Sequence, residues 1–139
     1  MYKSLLTSKR AEGYIETAVI IVVVAAVLAI ALSIFSVIVK KTQMDRITED
    51  LIETAAYEGE FGAAFDDRVA ALRAQYGDFE VSYGPARGCS YFNETLERVQ
   101  LGDDMYVTIT IRTSLTGWDA IFPMELRTTR IGKSEQFWK

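Results

Sequence analysis

Between Glu16 and Lys40 the chain carries no charged residue, so that Thr17 to Val39 is an apolar run of 23 positions. Elsewhere Arg, Lys, Asp or Glu recurs every few residues. As a helix the run is about 34 Å long at about 1.5 Å per residue, slightly more than a hydrocarbon core of about 30 Å. It therefore reads as a helix that crosses a bilayer with modest tilt. A buried core helix is disfavoured by size, because a domain within 139 residues has no interior that hides apolar side chains on every face of such a rod. A cleaved secretory signal is disfavoured by length and by how the run ends. The usual apolar region is about 7 to 15 residues, and Ser36-Val-Ile-Val-Lys40 offers no small-x-small site. Charge does not orient the span, since Lys3, Lys9 and Arg10 on one flank balance Lys40, Lys41 and Arg46 on the other.

Ala25, Ala29 and Ser33 recur at intervals of four, which places three small side chains on one stripe and allows close helix–helix approach. Ala18, Ala26 and Ala31 are also present, and the stripe equally fits ordinary membrane composition.

The chain is electrostatically divided at Lys41. Residues 1–41 carry five basic and two acidic groups, and residues 42–139 carry ten and seventeen, within an overall net charge of −4. The acidic part also holds 13 of the 16 aromatics, including Phe65, Tyr76, Phe79, Tyr106, Trp118, Phe122 and Trp138, enough for a small core of its own. Three regions are expected: a basic N-terminal tail over 1–13, the membrane helix over 14–41, and an acidic α+β domain over 42–139.

Past Lys41, the three-four-four spacing of Met44, Ile47, Leu51 and Ala55 predicts that the membrane helix continues as an amphipathic rod, broken by Gly59 and Gly62. A second helix is predicted over Ala63 to Tyr76, with Phe65, Val69, Leu72 and Tyr76 on one face and Gly77 at its C-terminus. The remainder has strand character. Phe79, Val81 and Tyr83 alternate with polar residues before Gly84-Pro85. Leu96 to Leu101, Gly102-Asp103-Asp104 and Met105 to Leu115 read as a hairpin. Its second arm sets Val107, Ile109 and Ile111 against Tyr106, Thr108, Thr110 and Arg112. Phe122 to Ile131 is the last predicted strand, with Pro123 near its start. The fold class is α+β: a long N-terminal helix, a short second helix and a small antiparallel sheet.

Little in this chain suits catalysis. It has no His and one Cys, Cys89, which removes Cys/His zinc sites, Cys-His and Ser-His-Asp constellations and any intrachain disulfide. Cys89 is read as a small buried hydrophobe, with pairing between two copies left open. Gly132-Lys133-Ser134 resembles the end of a phosphate loop, but the earlier Gly of that motif is replaced by Arg127. Asp66-Asp67 and Asp103-Asp104 lack the alternating spacing of a calcium loop and suit a helix start and a turn. Asn93-Glu94-Thr95 is a formal glycosylation sequon, read as a chance occurrence. The acidic balance argues against a nucleic-acid partner. No enzyme activity, cofactor or metal is expected.

The junction before the apolar run is more specific. The string Lys9-Arg10-Ala11-Glu12-Gly13-Tyr14-Ile15-Glu16 at the head of a long apolar helix resembles the processing region of type IV pilin-like proteins, particularly the TadE-like pseudopilins. In those proteins a short basic leader is cut after a small residue, usually Gly, and a glutamate at the fifth mature position pairs with a neighbour's new amino terminus. The resemblance implies a cut between Ala11 and Glu12, with Ala11 in the place of the usual Gly, and makes Glu16 the partner-seeking carboxylate. A cut after Gly13 would leave Glu16 at the third position, which does not fit. Arg10 to Val19 and Gly132 to Lys139 also resemble the domain-of-unknown-function family numbered 4320, whose members accompany conjugative elements.

These resemblances imply a single-pass protein of the cell membrane, with its N-terminus cytoplasmic and its domain outside. Its implied role is that of a pilin-like structural subunit of a surface filament or conjugative transfer apparatus. Ala11 and Glu12 are the expected processing residues, and Glu16, Ala25, Ala29 and Ser33 the expected assembly residues. The implied partners are the lipid bilayer, further copies or other pilin-like subunits, a prepilin peptidase and other envelope transfer proteins. The alternative is an uncleaved single-pass adaptor of a conjugative secretion machine.

Overall fold

A computed structural model of the chain describes the backbone of residues 2–114 and 123–139, with side chains for 13–114 and 123–139. It is α+β: helix α1 (Tyr2–Glu58), helix α2 (Ala63–Tyr76), and strands β1 (Glu80–Pro85), β2 (Asp104–Ser114) and β3 (Pro123–Lys133). Leu115, Trp118 and Phe122, expected in the last two strands and the core, lie outside the described residues. The chain separates into two compact units, Met1–Val37 and Ile38–Lys139.

Within the second unit, the predicted helical stripe is the spine of the core. Met44, Ile47, Leu51 and Ala55 are all buried, joined by Ile52, while Gln43, Arg46, Glu49 and Glu53 stay exposed. Gly59 ends α1 at φ +67, a left-handed conformation that a side chain disfavours, and its N–H donates to Ala55 O. A Cβ there would also lie 2.5 Å from Gln136 Cβ. Helix α2 buries Phe65, Val69 and Leu72 and closes at Gly77, as its spacing predicts. Tyr76 is the exception on that face, and is exposed. Asp66 stands in the first turn of α2 and Arg73 in the last, each on the side that the helix dipole favours. Arg68 reaches back to Asp50 of α1 through Nε at 2.9 Å, and this hydrogen bond raises the guanidinium pKa.

The sheet is an antiparallel meander in the order β1-β2-β3. Strand β2 is central: Glu80↔Thr110 to Pro85↔Met105 pair it with β1, and Asp104↔Lys133 to Ser114↔Pro123 pair it with β3. Its odd-numbered residues face the helices. Met105, Val107 and Ile109 are fully buried, and Ile111 packs against the cluster. On the opposite face Thr108 and Thr129 share a cross-strand hydrogen bond of 2.8 Å.

The predicted hairpin is therefore corrected. Leu96 to Leu101 is not a strand, and the neighbours of β2 are β1 and β3. Residues 86–103 form a turn-rich connection because Arg87 (φ 52) and Glu97 (φ 49) adopt left-handed backbone, which interrupts any extended ladder. Asn93 Oδ1 accepts from Thr95 N and Leu96 N at 3.0 and 3.1 Å, an Asx turn that gives the sequon a local structural role. Of the proposed arm only Val99 enters the core, while Leu96 and Leu101 are exposed.

Helix α1 and strand β3 run side by side in the same direction. Lys41 Nζ donates to Arg127 O at 3.0 Å and to Thr128 Oγ1. Thr128 Oγ1 donates to Asp45 Oδ1 at 3.1 Å. Further along, Gly132 lies against Ile52, where a Cβ would come within 2.9 Å of Ile52 Cγ1. Glu135 N then donates to Ala56 O at 2.8 Å. Residues of the Gly132-Lys133-Ser134 string thus serve packing: Gly132 lets helix and strand approach, and Ser134 Oγ donates to Val99 O at 2.8 Å.

Candidate functional site

The surface that calls for explanation is the first part of α1. Val19 to Val24, Val27, Leu28, Ile30, Leu32, Ile34 and Phe35 are each more than half exposed, on every side of the helix. The portion Gly13–Glu58 contains an 18-residue stretch of mean hydropathy 3.2, none of it buried inside the chain. It is one helix long and apolar enough to cross a membrane. Helix geometry satisfies its backbone groups internally, and its hydroxyls follow suit. Thr17 Oγ1 donates to Gly13 O, Ser33 Oγ to Ala29 O and Thr42 Oγ1 to Ile38 O, at 2.8, 2.9 and 3.1 Å. Each bond spans one helical turn and leaves no hydroxyl of the three in need of water.

Ala25 and Ala29 are exposed on this helix, whereas Ser33 is buried. The three share one stripe. Glu16 is exposed and lies nine residues before Ala25, about 180° around the axis at about 100° per residue. The predicted assembly residues are therefore on two opposite faces: Glu16 aligns with Ile20, Val23 and Val27, and the small residues align behind them. A shallow, apolar trough of about 310 Å³ runs beside Glu16 along Ile15, Ala18, Val19, Val22 and Val23. A rod with a single carboxylate heading an apolar line on one side and small residues on the other can meet a neighbour on each. Ala11 and Glu12 lie in α1, and their side chains fall outside the described residues.

The distal end of the second unit holds a polar lock that the sequence pattern did not disclose. The last carbonyls of α1 lack helical partners, and the segment after β3 supplies donors. Gln136 Nε2 donates to Tyr57 O at 2.9 Å, next to the Glu135–Ala56 bond. Trp138 Nε1 donates to Val99 O at 3.1 Å and Gly59 O at 3.3 Å, while its backbone exchanges bonds with the Gln100 side chain at 2.8 and 3.0 Å. Arg98 lies over the Trp138 ring, 4.1 Å from its centroid, and its Nε donates to Glu60 Oε2 at 2.8 Å. Beside this lock Phe61 stacks on Tyr83 at 4.5 Å, and Phe65 meets both rings edge-on. Burial, then the nearby Glu97 carboxylate, raise the Tyr83 hydroxyl pKa; the same causes push Tyr91 up to about 12. The aromatic alternation of β1 marks Tyr83 in the sequence, but nothing in the spacing brings Phe61 to it.

Asp104, nearly buried, sits 3.4 Å from both Arg87 Nη1 and Lys133 Nζ. Cys89 is half-buried and free. Among the described residues no three His, Cys, Asp or Glu side chains gather within reach of one ion.

No curated protein and no solved structure matches the chain. A family model does match, over residues 20–139, taking in most of the apolar run, both helices beyond it and the whole sheet. The chain therefore belongs to the family described as Domain of unknown function (DUF4320).

Proposed function

We propose that the chain is a membrane-anchored, pilin-like structural subunit of a surface filament or conjugative transfer apparatus, working by helix packing. The supporting observation is that α1 has two environments: Met44, Ile47, Leu51, Ile52 and Ala55 are sunk in the head, while Val19 to Leu32 are exposed all round. Fifteen Ile, Leu, Val and Phe residues between Thr17 and Val39, at about 0.3–0.6 kcal/mol each, favour insertion by about 5–9 kcal/mol. A single carboxylate costs about 2.5–3.5 kcal/mol at mid-bilayer and less at its edge, so Glu16 does not prevent insertion. Its cost is offset when a cation of a neighbouring copy pairs with it. In this reading the N-terminus is cytoplasmic, a prepilin peptidase cuts after Ala11, and the 42–139 domain stands outside among other envelope transfer proteins.

Glu16→Ala tests the reading in membranes of the producing cell. Crosslinked oligomers are expected to diminish strongly while carbonate-resistant insertion is retained; an unchanged oligomer pattern sinks the assembly role. Ala11 at the place of the usual Gly favours the second reading, an uncleaved adaptor. The intact mass of the mature chain separates the two, since loss of Met1 to Ala11 supports the subunit and a full-length chain supports the adaptor.

A further inference from the structure

Neither edge strand pairs with a further strand among the described residues, Lys41 Nζ of α1 capping the β3 edge at Arg127 O, and the polarity of the two edges restricts what can join them. Strand β3 runs in the direction of α1, and β1, two antiparallel steps away, runs parallel to β3. Copies that share one bilayer and one topology all pass into their heads at Ile38 from the same surface. Pairing β3 with β3 about a two-fold axis would turn the two Ile38 ends to opposite ends of the joined sheet. Placing β1 of one copy beside β3 of the next instead leaves the two Ile38 ends at the same end of the joined sheet.

The register makes that contact electrostatically matched. Glu80, Thr110 and Arg127 form one cross-sheet row, and Ser82, Thr108 and Thr129 form the next. Copies at equal depth and displaced sideways therefore place Glu80 of one opposite Arg127 of the other, and Ser82 opposite Thr129. Arg127 is exposed and makes no ion pair among the described residues. Glu80 has only a loose contact with Arg112, at 3.6 Å with both side chains more than 70% exposed. The Glu80 end of β1 also opens on a groove of about 350 Å³ lined by Arg73, Asp78, Phe79, Ile111 and Arg112. We infer that the heads of neighbouring copies associate edge to edge, β1 alongside β3 in parallel, with Glu80 facing Arg127. Because the two edges differ, the contact is heterologous and repeats from copy to copy without closing on a pair.

This inference rests on the anchored-subunit reading and is tested with the full chain in native membranes, in a Cys89→Ser background. Glu80→Cys and Arg127→Cys carried by one chain are expected to give a ladder of crosslinked oligomers. The two substitutions on separate, co-expressed chains are expected to stop at dimers, and each alone to give none. Arg127→Glu in otherwise unmodified heads is expected to abolish co-assembly read by a crosslinker, and adding Glu80→Arg to restore it. Dimers from Arg127→Cys or Thr129→Cys alone would mean a two-fold edge contact and overturn the inference. So would absence of the ladder in membranes where Ala29→Cys chains do crosslink, which leaves the helix-packing reading standing; failure at both positions overturns both.

Discussion

Replacing Gly132 by Ala probes the contact that holds β3 to α1. The added methyl would sit 2.9 Å from Ile52 Cγ1, 3.5 Å from Ile52 Cδ1 and 3.7 Å from Ala56 Cβ. Cγ1 is the inner carbon of a side chain only 7% exposed, so the clash is not relieved by swinging a free end. Gly132 does not need a left-handed backbone, and the penalty is therefore steric. Overpacking of this kind costs about 1–3 kcal/mol, against a gain of about 0.4–1 kcal/mol from a less flexible unfolded chain. The net loss is about 1–2 kcal/mol, or roughly 4–16 °C in melting temperature for a head of this size. Ile52→Ala alone should cost about 2–5 kcal/mol through the cavity it leaves. In that background the methyl enters the vacated space, and Gly132→Ala should turn from destabilising to stabilising, by about 0.5–1 kcal/mol. Thermal unfolding of the four full-length chains in one detergent, followed by circular dichroism, measures the cycle. An equal effect of Gly132→Ala in both backgrounds would refute the steric account.

Other outcomes follow from the distal lock and the aromatic cluster. Arg98→Ala removes a half-buried charge-assisted bond to Glu60 and the stack on Trp138, and should cost about 1–2 kcal/mol. Arg112→Ala removes a loose, exposed pair and should stay within about 0.5 kcal/mol, so chemical denaturation that ranks them equally contradicts this partition. Burial, and then Glu97, raise the Tyr91 pKa in the folded head to about 12, above the usual value near 10. The neutral phenol is favoured in the fold; its contribution is present below about pH 10 and is lost as pH rises toward about 12. Tyr91→Phe should flatten that alkaline loss, measured as melting temperature against pH, and an unchanged profile would assign it elsewhere.

The elements with strong periodicity were legible because a single interaction with the core dictates them. Met44, Ile47, Leu51 and Ala55 repeat with the helix, Val107, Ile109 and Ile111 with the strand, and Gly77 marks a helix end by its backbone freedom. The false hairpin had the same kind of cause: Leu96 and Leu101 flank a strand-like run, but the left-handed Glu97 is a non-glycine residue whose conformation is set by tertiary context. The distal lock was hidden for a related reason. Trp138 meets Gly59 and Val99 across long stretches of chain, and no local pattern encodes such a partner. In the candidate site the residue types were readable, and so was the shared stripe of Ala25, Ala29 and Ser33. That Glu16 faces away from this stripe depends on uninterrupted helix phase between them, which α1 supplies.

The donors that finish the end of α1 are furnished by residues 134–138, some eighty positions later in order of synthesis. Contacts of such separation form late, and they give a nascent head no means of closing while its C-terminal segment is still in the ribosome or a translocation channel. A head that emerges segment by segment is thus kept pliable until Trp138 has followed. A premature stop before Ser134 should yield a polypeptide that inserts normally yet remains a target for proteases at its unfinished far end.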